Sequence, residues 1–290
     1  MKSQRFVLAK PLECGLSLSI DLAPGGDAAK GLKRVAAGYD LEWGTLGIGE
    51  PLTMALHRKV PGLSTFPAMS APGSGVPSTQ HAMWLMLAGT TQGAIFATVQ
   101  KVKALLGRDF FVADSIATFH NASHDLSGYE DGTENPKGAK AAKAAIVAKG
   151  PGLAGSTFVG VQRWVHDLDY FNSLSQARRD NSIGRRLSDN EELEHAPRSA
   201  HVKRTAQEDF EPNGFMVRRS MSFADHRAKG LEFIAYMAHL DTFTRQMRHM
   251  AGLDDGIADA LFQFSRPVTG AYYWCPPARS GRADLRILGL

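Results

Sequence analysis

The stretch "GLEFIAYMAHLDTFTRQMRHMAG", residues 230–252, changes periodicity in mid-course. Residues 230–240 are an apolar run of strand length, and residues 241–252 read as an amphipathic helix. The same succession stands about 150 residues earlier, where "HAMWLMLAG" (81–89) runs into "QGAIFATVQKVKALLG" (92–107). In that earlier helix Ile95, Phe96, Val99, Val102, Leu105 and Leu106 recur at the spacing of one buried face.

Working outward, each strand–helix pair sits in a matching frame. Before the first come a strand at 15–22, a helix over 27–40 and an extended piece around Trp43; a Pro/Gly/Ser-rich loop at 61–80 intervenes, and a strand at 109–119 follows. Before the second come a strand at 156–165, a polar helical and looped region to about 198 and an extended segment at 213–223; "SRPVTGAYYWCPP" (265–277) supplies the last strand. The order is β-α-β-β-α-β, twice. It predicts an α+β fold of two tandem ferredoxin-like halves, each an antiparallel β-sheet with helices on one face. The halves are expected to span 1–140 and 141–290, with the Ala/Lys/Gly-rich "PKGAKAAKAAIVAKGPG" (136–152) as a helical linker. A doubly wound nucleotide-binding sheet needs a glycine-rich turn between strand and helix, and no GxxxxGK[ST] or suitably placed GxGxxG occurs.

At 290 residues with 43% hydrophobic residues, the chain can bury a real core. Thirty-three Lys+Arg against 29 Asp+Glu give a net charge of +4 with no long basic run, which argues against nucleic-acid or membrane partners. Cys14 and Cys275 stand alone, so neither a thiolate metal site nor a disulfide framework is expected. The start lacks the apolar region of a secretory signal, and no apolar run reaches the length of a membrane span. A cytoplasmic protein is the expectation.

The polar stretch "GYEDGTENP" (128–136) sets Asp131 between two glycines. Locally, Asp131-Gly132 reads as a turn, and Asn135-Pro136 as a helix start with the asparagine as cap. Three further segments stand out: "SAHVKRT" with His201, "MVRRSMSF" with Arg218 and Ser220, and "SIGRRLSDNEEL" (182–193). Composition and spacing alone do not choose His201 over His120, His124 or His239. Arg218 and Arg219, adjacent on an expected strand, must point to opposite faces, and Ser220 shares the face of Arg218.

Taken together these segments resemble the dye-decolourising peroxidases, most closely their compact bacterial cytoplasmic subgroup. "GYEDGTENP" is similar to that family's GxxDG motif, "AHVKR" to its proximal-histidine segment, "VRRSMSF" to its distal-arginine segment, "SIGRR" to its IGR element and "RPVTGAYYW" to its C-terminal strand. The resemblance implies one haem b per chain, held between the sheet and helices of the C-terminal half. His201 would be the iron ligand, Asp131 and Arg218 the distal pair, and Ser220 a distal hydrogen-bonding residue. Gly128, Gly132, Arg185 and Arg204 would contact the cofactor, the two glycines by letting the backbone approach the porphyrin. The implied reaction uses hydrogen peroxide to oxidise aromatic donors such as dyes and phenols. An acid can move the peroxide's proton, and a fixed guanidinium can stabilise the charge of the breaking O–O bond.

Two positions depart from the family pattern. His124 stands where relatives often carry arginine. Gln263 occupies the place expected for the carboxylate behind the proximal histidine, which leaves a neutral partner or, as a substitute, Asp259. That departure keeps open a second function on the same fold, a haem carrier, sensor or iron-release protein; a ferredoxin-like module without haem is a third. The short tail "ARSGRADLRILGL" implies a free homo-oligomeric enzyme rather than an encapsulated one.

Overall fold

The computed structural model describes residues 2–290. The N-terminal half contains α1 (Arg5–Leu8), β1 (Cys14–Leu22), α2 (Ala28–Gly38), β2 (Gly44–Ile48) and α3 (Glu50–Ala55). The loop expected at 61–80 carries a small hairpin, β3 (Met69–Ala71) and β4 (Ser74–Val76), before β5 (Met83–Gly89), α4 (Gln92–Leu106) and β6 (Phe110–Phe119). After α5 (Gly138–Ala145) come β7 (Thr157–His166), α6 (Leu168–Ser173), α7 (Gln176–Ile183) and α8 (His201–Arg204). The chain closes with β8 (Val217–Arg218), β9 (Met221–Ala224), β10 (Lys229–Met237), α9 (Asp241–Met250), β11 (Ser265–Pro267), β12 (Ala271–Cys275) and a last hairpin, β13 (Ala278–Arg279) with β14 (Arg282–Ala283).

Within the first half the strand order is β6-β1-β5-β2, and within the second it is β12-β7-β10-β9, all pairs antiparallel. This is the ferredoxin-like order, given twice by one sequence grammar. The two sheets also meet edge to edge, through Phe119 opposite Ser222 and Trp274 opposite Ile48. Eight strands therefore close into a ring of pairings, which leaves few open edges. One buried cluster draws on both halves, from Leu18 and Leu85 to Phe243 and Trp274.

Local chemistry accounts for the helices that flank the sheets. Asp27 and Thr91 cap α2 and α4 by accepting from the backbone N–H groups of Lys30 and Ala94 at 2.9 and 3.2 Å. Helix α9 buries Phe243, Met247 and Met250 on one face. In α4 the buried stripe is Ile95, Val102 and Leu106, whereas Phe96, one residue round the helix from Ile95, is 66% exposed, contrary to the expected face. The helix start expected at Asn135-Pro136 is also absent. Helix α5 begins at Gly138, because the Asn135 side chain is engaged elsewhere.

Candidate active site

The loop from His120 to Lys137 is folded by its own backbone. Asp125 N–H donates to the Tyr129 carbonyl and Asp131 N–H to the Ser123 carbonyl, both at 2.9 Å. Gly128 and Gly132 have φ of 90° and 84°, the left-handed region where glycine carries no Cβ penalty. A Cβ on Gly128 would meet only the Leu187 Cδ1 at 3.6 Å, so backbone conformation, not crowding by the protein, requires glycine there. The loop is then fastened to the sheet. The Asn135 amide donates to the Arg218 carbonyl at 2.9 Å, and its oxygen accepts from the Arg218 N–H at 2.8 Å.

Arg218 and Asp131 thereby line one cavity. Burial raises the Asp131 carboxyl above its ordinary value, the Arg218 charge opposes that shift, and the Asp125 charge adds to it. The Arg218 Nε is buried with no hydrogen-bond partner among the described residues. Arg218 and Arg219 part as expected: Arg219 leaves the cavity and donates to the carbonyls of Arg218 and Leu8.

His201, the first residue of α8, lines the same cavity. Its Nδ1 lies 2.8 Å from Asp259 Oδ2, and Asp259 Oδ1 accepts from the Leu261 N–H at 2.8 Å. A carboxylate only accepts, so Nδ1 carries the hydrogen and Nε2 keeps a free lone pair. Burial pulls the His201 imidazolium down, but the Asp259 carboxylate outweighs it, and the net shift is upward. Of the two partners the sequence left open, Gln263 and Asp259, the contact is with Asp259. Gln263 is exposed, and the acid lies four residues earlier as the cap of the turn at Ala260–Gln263.

The remaining lining of the cavity is largely apolar: Trp164, Ile183, Leu231, Phe233, Met247 and Met250 from strands and helices of the C-terminal half. An adjoining polar cavity shares Asp131, His201 and Arg218 and adds Gly132 and Arg185. There Arg185 donates to Glu134 Oε1 at 2.7 Å and to the Asn190 carbonyl at 2.9 Å.

Two other expectations, for Arg204 and Ser220, are not met. Arg204 lines neither cavity; its guanidinium is buried against Asp255 in two contacts of 2.8 Å and against the His249 carbonyl, fixing α8 to α9. Ser220 also lines neither, and its Oγ is buried without a partner among the described residues. His124 is exposed and bonds the Ala122 carbonyl at 2.9 Å. Missed by the sequence reading were Asn135 as a clamp and a buried pair, Asp125 with His166, in the cavity wall. The Asp-x-Ser turn at 125–127 was a local signal for the first of these acids.

Comparison with known proteins bears on the family and the fold. The profile "Dyp-type peroxidase, C-terminal" matches residues 122–280, more than half of the chain. The dye-decolorizing peroxidase of Mycobacterium tuberculosis is 30% identical over 74% of this chain and 66% of its own length, so the chain spans about two thirds of that relative. A dye-decolorizing protein from Vibrio cholerae superposes with a TM-score of 0.86 at 28% identity, covering 99% of each chain. A Rhodococcus jostii DypB variant in complex with heme gives 0.87 at 26% identity over 93% of this chain and 95% of its own. By its sequence profile and its fold, this chain belongs to the Dyp-type peroxidase family, a family of haem-dependent oxidoreductases.

Proposed function

We propose that the chain binds one haem b in the apolar cavity, with His201 as iron ligand, and uses hydrogen peroxide to oxidise organic donors. The observation that carries this reading is the His201 imidazole, with Nδ1 held by Asp259 and Nε2 left free, in the same cavity as a buried carboxyl and an arginine with an unpartnered Nε. The donor set fits the group. Among the described residues no cluster of three or more His, Cys, Asp or Glu could hold a bare metal ion, so iron bound by His201 must bring its other ligands in a macrocycle. The apolar walls suit a porphyrin face, and Arg185 in the adjoining polar cavity suits its carboxylates.

Haem, when bound, supplies the redox chemistry that cleaves the O–O bond. The protein's part is proton and charge management. Burial raises the Asp131 carboxyl, which makes its ionised form a better base: the carboxylate takes the proton from one peroxide oxygen and returns it to the other. The Arg218 guanidinium stabilises the charge that develops between them. His201, made more basic by Asp259, would hold the haem iron firmly. That pairing favours catalysis over haem carriage, because a carrier needs no such push.

Phenols and dyes remain the proposed donors, with aromatic radicals as products. Among the described residues no helix is long and apolar enough to cross a membrane. A cytoplasmic, homo-oligomeric enzyme is the form proposed. Haem-reconstituted protein should show a histidine-ligated ferric spectrum and turn over peroxide, and His201→Ala should abolish or shift that spectrum. A variant with the parent spectrum and haem content overturns the assignment.

A further inference from the structure

We propose that Ser265, His166 and Asp125 form a proton path that joins a polar surface cleft to the cavity holding Asp131. His166 ends β7, Ser265 begins β11, and the two stand directly opposite in the strand pairing. His166 Nδ1 lies 2.6 Å from Ser265 Oγ, and Nε2 lies 3.1 Å from Asp125 Oδ2. The His166 side chain is only 4% exposed, yet it borders two spaces. On one side it lines the cavity with Asp125, Asp131, His201 and Arg218. On the other it lines a cleft with Ser265, Lys229 and Arg266.

The direction of the hydrogen bonds follows from the acid. Burial disfavours the Asp125 carboxylate, but the His166 imidazole and the Ser127 donors outweigh it and hold Asp125 at about 2. Asp125 therefore accepts, Nε2 carries the hydrogen, and Nδ1 accepts from the Ser265 hydroxyl. Both donors point inward, from the cleft to the cavity. A hydrolytic Ser-His-Asp reading does not fit. Ser265 is 2% exposed, and the acid, not the serine, faces the cavity.

The path would serve the peroxidase reaction proposed above, and it rests on that reading. Reduction of hydrogen peroxide to two waters takes up two electrons and two protons. Donors that deliver only electrons leave the protons to be drawn from solvent. In each transfer Ser265 gives its proton to Nδ1 and regains one from water in the cleft. Nε2 gives its proton to Asp125, which releases it into the cavity. No electron moves, one proton enters, and the ring is left as its Nδ1–H tautomer, which regains the starting form by proton exchange with solvent. The Asp125 charge already raises the Asp131 carboxyl, so the inner end of the path is electrostatically coupled to the proposed acid.

The test uses the full chain and two kinds of readout. In 15N-histidine NMR, the His166 ring N–H should exchange with solvent at least tenfold more slowly in Ser265→Ala than in the parent, and Ser265→Thr should restore the parent rate. In the haem-loaded enzyme, Ser265→Ala should slow proton uptake from a pH indicator during turnover several-fold and enlarge the solvent deuterium effect, without changing the ferric spectrum. Asp125→Asn, which keeps an acceptor but resists protonation, should slow uptake in the same way should Ser265→Ala fail to fold. Unchanged ring exchange and unchanged proton uptake overturn the path. A protein that turns over no peroxide overturns the peroxidase reading instead, and ring exchange then decides the path alone.

Discussion

The Asn135 side chain makes both hydrogen bonds that the Arg218 backbone offers it, one to the carbonyl and one from the N–H. Arg218 sits where β8 ends and the pairing with β10 is interrupted before β9, so its main chain would otherwise have free groups at the cavity wall. The clamp also carries the loop of Asp131 with it. The acid and the arginine proposed to manage proton and charge are thus set relative to each other by a residue that touches neither side-chain function.

Asn135→Ala should lower stability by about 1–3 kcal/mol, since two part-buried hydrogen bonds are lost and their partners left unpaired. Peroxide activation should slow as well. Asn135→Asp separates the two bonds, because it keeps the acceptor for the Arg218 N–H but sets a carboxylate against the Arg218 carbonyl. It should be no better than alanine in denaturant melts and in kcat/KM for peroxide. A fully active, fully stable Asn135→Ala would remove the clamp from the account.

The His201–Asp259 contact is testable in haem-free protein. Asp259 raises the His201 pKa above the ordinary 6.5 while burial lowers it. Asp259→Asn should therefore bring the His201 titration below that of the parent, read from ring resonances in NMR. The sign for stability follows. A raised imidazole pKa stabilises the fold below its unfolded value, and that stabilisation is lost as pH rises through the folded value. The parent's advantage over the variant should shrink accordingly between acid and alkaline conditions.

How much of this was legible depends on the range of the interactions. The two-fold β-α-β-β-α-β grammar rests on periodicity within about ten residues, and it placed the eight strands of the ring and helices α2, α4 and α9. Alternation on one strand likewise separated Arg218 from Arg219. Misreadings cluster where the partner is remote in sequence. Asn135 reaches 83 residues to Arg218, and Arg204 reaches 51 to Asp255. Locally Asn135-Pro136 does look like a helix start, and nothing near Arg204 announces a buried ion pair. Only tertiary contact decides such cases.

Asp131 carries a stability cost that its replacement should reveal. Burial raises its carboxyl, so the fold disfavours the ionised form. The cost is absent at pH below the ordinary carboxyl value and grows as pH rises through the raised one. Asp131→Asn has no charge to bury. Its haem-free form should be more stable than the parent at pH 7 and equal to it near pH 3 in denaturant unfolding. Equal stability at both values would mean that solvent reaches the carboxylate freely.

Arg218 gives the sharpest kinetic test, because its effect should not depend on a proton. In the proposed reaction the negative charge of the separating oxygens would be met by a guanidinium whose Nε has no other partner among the described residues. Arg218→Leu should slow the stopped-flow reaction with peroxide about 10²-fold or more, corresponding to ~2.7–4 kcal/mol in comparable charge-stabilising sites. Arg218→Lys keeps a charge but not the planar fork, and should fall between. Asp131→Asn should cost less at neutral pH where an ordered water can carry the proton, and should flatten the pH profile between 4 and 8 because the titrating group is gone. Haem content must match the parent in every variant. If Arg218→Leu reacts as fast as the parent at equal haem occupancy, charge stabilisation by this residue is not part of the reaction.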